Sequence, residues 1–315
     1  MTAFALLGLQ AFLVIALAPL LTGIVRKTKA RLQRRVGPGT LQPYRDIIRL
    51  LRKETVLADN ASWLFSAAPY FVCAATWAAA FLVPTFAFDT NLGSAGDLIV
   101  IIGILASARF VLALAGLDIG TSFGGIGASR EMMIATVAEP AMLMLIFSLA
   151  LVAGTTRLPD IALFVQSPDL GLRISLMLAF VGFAILAVAE NGRIPVDNPA
   201  THLELTMVHE AMVLEYSGRH LALIELASAI KLLLYVSLIS AVFLPWGIAP
   251  EGSDVVRYGA AILFYLFKLF AGAFLLGLFE VTIAKMRVFR VPQFIGVALM
   301  LGLLAALLRL VSRSM

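Results

Sequence analysis

The sequence predicts an all-α polytopic membrane protein with about eight transmembrane helices and a cytoplasmic amphipathic helix. Three observations carry this prediction. Hydrophobic residues make up 61% of the chain and charged residues only 14%, where soluble proteins carry about a quarter charged residues. Apolar runs cover residues 3–23, 64–86, 98–117, 132–154, 172–190, 219–245, 255–279 and 292–311, each close to the roughly 20 residues a helix needs to cross a bilayer. Ten of the 24 Lys and Arg residues crowd into residues 26–53, the asymmetry that fixes which loops stay inside. With eight spans along the chain, residues 1–315 read as a single integral membrane domain, with no soluble domain expected beside it.

The first run lacks the early basic region and small-residue cleavage site of a removable signal, so it is taken as a membrane helix ending at Gly23. With the 26–53 segment inside, sixteen Lys and Arg fall on that side and five on the other. Both termini are then expected outside. Within the basic segment, QPYRDIIRLLRKE places Tyr44, Ile47, Ile48 and Leu51 on one side of a helix and Arg45, Arg49, Arg52 and Lys53 on the other. Pro43 suits its first turn. Such a helix either lies in the interface near anionic headgroups or offers a docking surface to a soluble partner. No base-reading element accompanies the charge, so nucleic acid is not an expected partner.

Arg109 sits near the middle of the third run, where a charge costs on the order of 3 kcal/mol; it needs an internal partner. The following LDIGTSFGGIGASRE, residues 117–131 with Gly120, Gly124, Gly125 and Gly127, reads as a compact inter-helix loop. It has no Gly-Lys-Ser/Thr ending and no strand before it, as a phosphate-cradling loop would. Glu139 lies in the fourth run, followed by Pro140. Lys231 and Lys268 fall about a dozen residues into their runs, too deep to snorkel easily; they are expected to pair with carboxylates. Gly272 and Gly277 suit close approach of neighbouring helices.

The most polar interruption is Ala189–Gly218, AENGRIPVDNPATHLELTMVHEAMVLEYSG, with five carboxylates, two histidines and two prolines. Pro195 and Pro199 predict a non-helical 191–200. On a continuous helix from Thr201, Glu204 and Glu215 share one face and Glu210 points elsewhere. His209-Glu210 begins like a zinc-protease motif, but residue 213 is Val and no metal site follows. His202 and His220 are expected to be structural, and His209 is a proton-relay candidate. Glu139, Glu190, Glu204, Glu210, Glu215, Glu225 and Glu280 outnumber Arg109, Lys231 and Lys268 seven to three. Pairing cannot absorb them all, and a row of excess carboxyl groups is what proton or sodium movement through a membrane requires. Cys73 is the sole cysteine, so this chain alone builds no disulfide, iron-sulfur cluster or cysteine zinc site.

AENGRIPVDNP at 189–199, Glu204-Leu205, Glu215-Tyr216-Ser217-Gly218 and RRVGPG at 34–39 resemble the signature of respiratory complex I subunit 1, the eight-helix subunit that joins the membrane arm to the peripheral arm. More narrowly, LDIGTSFGGIGASRE, AEP at 138–140 and THLELT at 201–206 resemble the corresponding membrane subunit of energy-converting nickel-iron hydrogenases of the formate hydrogenlyase and hydrogenase-4 type. Nine residues separate Leu205 from Glu215, more than in the complex I pattern, which turns the helix and weakens any transfer of its quinone chamber. The resemblance implies a non-catalytic membrane anchor and ion-coupling subunit in a bacterial cytoplasmic (inner) membrane. It implies no cofactor in this chain, with iron-sulfur clusters and a nickel-iron centre in partner subunits. Those partners would be the hydrogenase large and small subunits, an iron-sulfur subunit and antiporter-like membrane subunits. Glu139, Glu190, Glu204, Glu215, Glu225 and Lys231 would carry coupling; Arg34, Arg35, Arg193 and Asp197 would meet the partners. The alternative it leaves is a quinone-site subunit of a complex I-like NADH or quinone oxidoreductase.

Overall fold

A computed structural model describes residues 3–88, 96–166, 174–193, 196, 207–250, 252–284, 286 and 290–314. In chain order the described residues form α1 (Ala3–Leu32), α2 (Gln42–Leu51), α3 (Trp63–Phe81), α4 (Leu98–Asp118), α5 (Ser122–Ala153), α6 (Leu158–Gln166), α7 (Ile174–Glu190), α8 (His209–Val213), α9 (Gly218–Phe243), α10 (Val255–Thr282) and α11 (Val291–Ser314). Seven of these, α1, α3, α4, α5, α9, α10 and α11, are long and apolar enough to cross a membrane, and α7 is a shorter apolar helix. The eight apolar runs and the surface helix expected from sequence are all present.

Two boundaries differ, and in each case a glycine was misread. Helix α1 does not stop at Gly23 but runs on to Leu32. Gly23 is retained because α2 crosses there: a Cβ at that position would collide with the Thr40 carbonyl oxygen. Beyond it, Arg, Lys and Ala are good helix formers, and Lys29 and Arg31 in the last turn suit the negative end of the helix dipole. The glycine-rich 117–131 is not a compact loop either. Gly120 alone makes the turn, at φ +69°. Thr121 then caps α5, its Oγ1 accepting from Gly124 N at 3.2 Å, and the helix starts at Ser122. Gly127 instead lets α5 touch α8, since a Cβ there would fall 2.9 Å from Met212 Cγ.

The core forms where α5 packs on α11, α4 and α7, where α3 packs on α4 and α9, and where α1 packs on α10 and α9. Leu145 of α5 is buried in a slot between two helices: a Cβ on Gly182 of α7 would come within 2.8 Å of it, and one on Gly302 of α11 within 3.2 Å. Small residues thus let helices approach where no hydrophobic drive exists in lipid. Gly272 approaches Val236 and Gly277 approaches Thr28, as the sequence suggested. At the end away from the basic segment, Gln10 Nε2 donates to the carbonyls of Phe81 and Val83 at 2.9 and 2.7 Å, tying α1 to the end of α3.

The central stretch does not continue as one helix up to Glu215. Helix α8 spans only five residues, and the chain breaks at 214–217 before α9. Gly218 takes φ +53° with no room for a Cβ, 2.6 Å from the Glu54 carbonyl oxygen. Tyr216 stacks on Phe65 with ring centroids 3.9 Å apart and Ser217 Oγ bonds the Val56 backbone, which pins the break. Burial, with Asp118 nearby, holds the Tyr216 phenol above its ordinary range.

Candidate ion-coupling site

Glu190, the last residue of α7, meets α4 and α9 near their mid-length, at Arg109 and Lys231. Arg109, eleven residues into α4, donates to Glu190, and Lys231 of α9 lies 3.1 Å from the same carboxylate. Arg109 also approaches Glu131 and Glu139 of α5 at 3.5 and 3.6 Å. The Arg109 and Glu190 side chains are almost fully buried, at 8% and 4% exposure, whereas Glu139 is 44% exposed. Among the described residues three carboxylates and two cations thus share one cluster, so charge pairing there leaves one acid in excess.

A cavity of about 80 Å³ opens onto this cluster, lined among others by Arg109, Glu131, Glu190, Lys231 and His209. A second cavity of about 510 Å³ lies toward the basic end, between α1, α2, α8, α9 and the tip of α10. Nine of its 21 lining residues are ionisable: Arg26, Lys29, Asp46, Arg49, Arg193, His209, Glu210, Glu225 and Glu280. The two cavities share Asn191, Gly192, His209, Ile224 and Ser228. The two cavities are thus neighbours, separated by one shared wall, between the basic end and the Arg109 cluster. Nearby, Arg130 donates to the Met207 carbonyl at 2.7 Å.

Within this vestibule Glu280, with a side chain 3% exposed, lies 3.0 Å from Lys29 and 3.5 Å from Arg193. Burial pulls the Arg193 guanidinium below its ordinary value while Glu280 opposes that shift. Helix α2 turns Pro43, Asp46, Ile47 and Leu50 into the cavity. Tyr44 donates to the Ala16 carbonyl. Ile48 and Leu51 are about half exposed beside Arg45, Arg49 and Arg52.

Of the coupling residues expected from sequence, the structure brings Glu139, Glu190 and Lys231 together around Arg109 and puts Glu225 in the vestibule. Glu215 stands on the exposed surface, in the break at 214–217 between α8 and α9. Glu204, His202 and Asp197 lie outside the described residues. Arg193 turns inward onto Glu280, and Arg34 and Arg35 are exposed at the end of α1. Among the described residues no carboxylate pairs with Lys268 as expected: its Nζ donates to the Leu244 carbonyl at 2.6 Å, because it reaches the carbonyl left open at the end of α9. His220 is buried edge-on to Tyr70 and Tyr216.

Sequence reasoning missed Glu131 as a member of the cluster and the placement of Glu280 between two cations. The signal for Glu131 was its eight-residue spacing from Glu139, which puts both on one helix face once the glycine-rich segment is helical.

Comparison with known proteins agrees with this architecture. The NADH dehydrogenase family model matches residues 4–311. The chain is 35% identical to formate hydrogenlyase subunit 4 of Escherichia coli (strain K12) over 90% of its own length and 92% of the relative's. It is 36% identical to hydrogenase-4 component C of the same organism, over 77% and 76% of the two chains. Its fold superposes on a chain of an archaeal membrane-bound sulfane sulfur reductase, a respiratory membrane complex, with a TM-score of 0.83 at 20% identity, covering 98% of this chain and all of the other. With the match running through nearly every helix, the chain belongs to the NADH dehydrogenase family of complex I subunit 1-like membrane subunits.

Proposed function

We propose that this chain is the membrane anchor and ion-coupling subunit of a multi-subunit energy-converting nickel-iron hydrogenase of the formate hydrogenlyase or hydrogenase-4 type. It is one integral membrane unit in a bacterial inner membrane, with its basic end toward the cytoplasm and both termini outside. The redox centres belong to partner subunits, because a chain with Cys73 as its only cysteine cannot ligate an iron-sulfur cluster by itself. Hydrogenase large and small subunits, an iron-sulfur subunit and antiporter-like membrane subunits are the partners this reading requires. Arg34 and Arg35, exposed just beyond the end of α1, are its docking residues.

The observation that carries the reading is that an ionisable vestibule shares a wall with the cavity of a buried cluster that has, among the described residues, more acids than bases; the reading makes that wall a polar route. In low dielectric such a cluster responds strongly to any change of charge at its edge, and carboxylates linked by polar cavities relay protons or hold sodium. Glu190 and Lys231 are the inner members, Glu139 the outward one, and Glu225 the vestibule acid. The alternative, a quinone-site subunit of a complex I-like oxidoreductase, calls for an apolar sleeve for the quinone tail, which would have to be the apolar groove that shares Asn191 and Arg193 with the vestibule. The vestibule itself, with nine ionisable groups among its described lining residues, suits water and ions.

The test uses inverted membrane vesicles containing the intact complex. Glu139→Gln is expected to lower ion movement per hydrogen evolved while dye-linked hydrogen evolution and assembly stay normal. A mutant complex that assembles and moves ions normally would refute the relay. Purification through this chain should bring down a nickel-iron large subunit, and block by quinone-site inhibitors would favour the alternative.

A further inference from the structure

Glu280 is a buried acid for which the ion route just described has no use. It sits at the end of α10, away from the Arg109 cluster, and holds one cation from α1 and one from the segment after α7. That segment is short: two residues separate Arg193 from Glu190, so any displacement of Arg193 is transmitted almost directly to the Arg109 cluster. Glu225 of α9 faces the same vestibule and its charge also acts on Arg193. Arg193 therefore lies between two carboxylates, one buried and one exposed.

Arg193 has a second neighbour of a different kind. Between α7 and α10, on a floor of α9, runs an apolar groove of about 630 Å³ that includes Phe180, Val236, Phe267 and Leu275. Arg193 and Asn191 line both this lipid-facing groove and the polar vestibule. Asn191 is held in place by its Nδ2, which donates to the Ala187 carbonyl at 2.7 Å. Arg193 is held in place by Glu280.

We propose that Glu280 is the positioning residue of the coupling segment: it clasps Arg193 to α1 and α10, which sets Glu190 in the Arg109 cluster and closes the vestibule against the bilayer. Without its charge Arg193 turns toward Glu225, the partition opens, and ion movement is no longer tied to the redox reaction. This inference rests on the coupling function proposed above, and it adds a residue outside the relay.

The test compares Glu280→Gln, Glu280→Asp, Arg193→Gln and the double variant Glu280→Gln/Arg193→Gln in inverted vesicles with the whole complex. The readouts are ion movement per hydrogen evolved, dye-linked hydrogen evolution and the amount of assembled complex. Glu280→Gln should lower the ion-to-hydrogen ratio about tenfold with dye-linked activity retained, and Glu280→Asp should restore most of it. Because the two residues act as a unit, the double variant should be no worse than either single. Additive losses, an unchanged ratio in Glu280→Gln, or an Asp variant as poor as the Gln one would each overturn the proposal. If Glu280→Gln does not assemble, the Asp variant and Arg193→Gln decide it: Arg193→Gln must lower the ratio about tenfold while Glu280→Asp keeps most of it, and an unchanged ratio in Arg193→Gln or an Asp variant as poor as it would overturn the proposal. Glu139→Gln in the same vesicles separates the two claims: if it too leaves the ratio unchanged, the coupling function fails, whereas if it alone lowers the ratio, only the role of Glu280 fails.

Discussion

The Arg109 cluster and the vestibule solve the same problem, too many charges in a bilayer, in opposite ways. Around Arg109 the space is about 80 Å³ and two cations serve three acids; every charge is shared and none can move without its neighbours. In the vestibule the space is about 510 Å³ and acids and bases are balanced, with Asp46, Glu210, Glu225 and Glu280 against Arg26, Lys29, Arg49 and Arg193. There, the exposed groups are screened by water and can exchange partners, while Glu280 and Arg193 stay largely buried. A tight cluster stores the effect of a charge change; a roomier vestibule delivers it. The difference predicts that mutations of the buried members of the cluster act on stability and coupling together, while mutations in the vestibule and at the half-exposed Glu139 act mainly on coupling.

The largest expected effect comes from Arg109→Met, which leaves Glu131 and Glu139 without their cation and Glu190 with Lys231 alone, and should cost about 3–5 kcal/mol. It is measured as loss of intact complex from membranes and a lower midpoint of thermal inactivation. Lys231→Met leaves Glu190 its bond to Arg109, so the loss should be smaller, about 2 kcal/mol, on the same thermal scale. Gly127→Leu forces α5 away from Met212 and should cost roughly 1–3 kcal/mol by overpacking, without changing any charge. It is the control for purely structural damage. Glu139→Gln removes a half-exposed pair worth less than about 1 kcal/mol; its effect should fall on ion movement, not on melting. Smallest of all, Arg34→Glu with Arg35→Glu should leave stability within about 0.5 kcal/mol and weaken only retention of the soluble arm, read as hydrogenase released from washed membranes.

The helices were legible in the sequence because a bilayer demands long apolar runs, and the pairing of Lys231 was legible because a buried lysine has few alternatives. What was not legible depended on packing. Gly23 looks like a terminator until the Thr40 carbonyl is seen against it, and Gly124 and Gly127 look like loop residues until α4 and α8 press on α5. Once that segment was read as a loop, Glu131 could not be placed on a helix face beside Glu139. Lys268 was assigned a carboxylate because a spacing rule cannot see the open carbonyl of Leu244. Glu280 carried no motif, and only the tertiary fold brings residues 29, 193 and 280 together.

The central claim is that the polar route through the shared wall of the two cavities carries the coupled ion. Ser228 lines both sides of that wall, bears no charge and makes none of the ion pairs. Ser228→Leu therefore plugs the junction and leaves both charge clusters in place. In inverted vesicles the variant should retain dye-linked hydrogen evolution and complex assembly while ion movement per hydrogen falls about tenfold, comparable with loss of a positioned proton-transfer group. A Ser228→Leu complex that moves as many ions per hydrogen as the unaltered one would contradict the account.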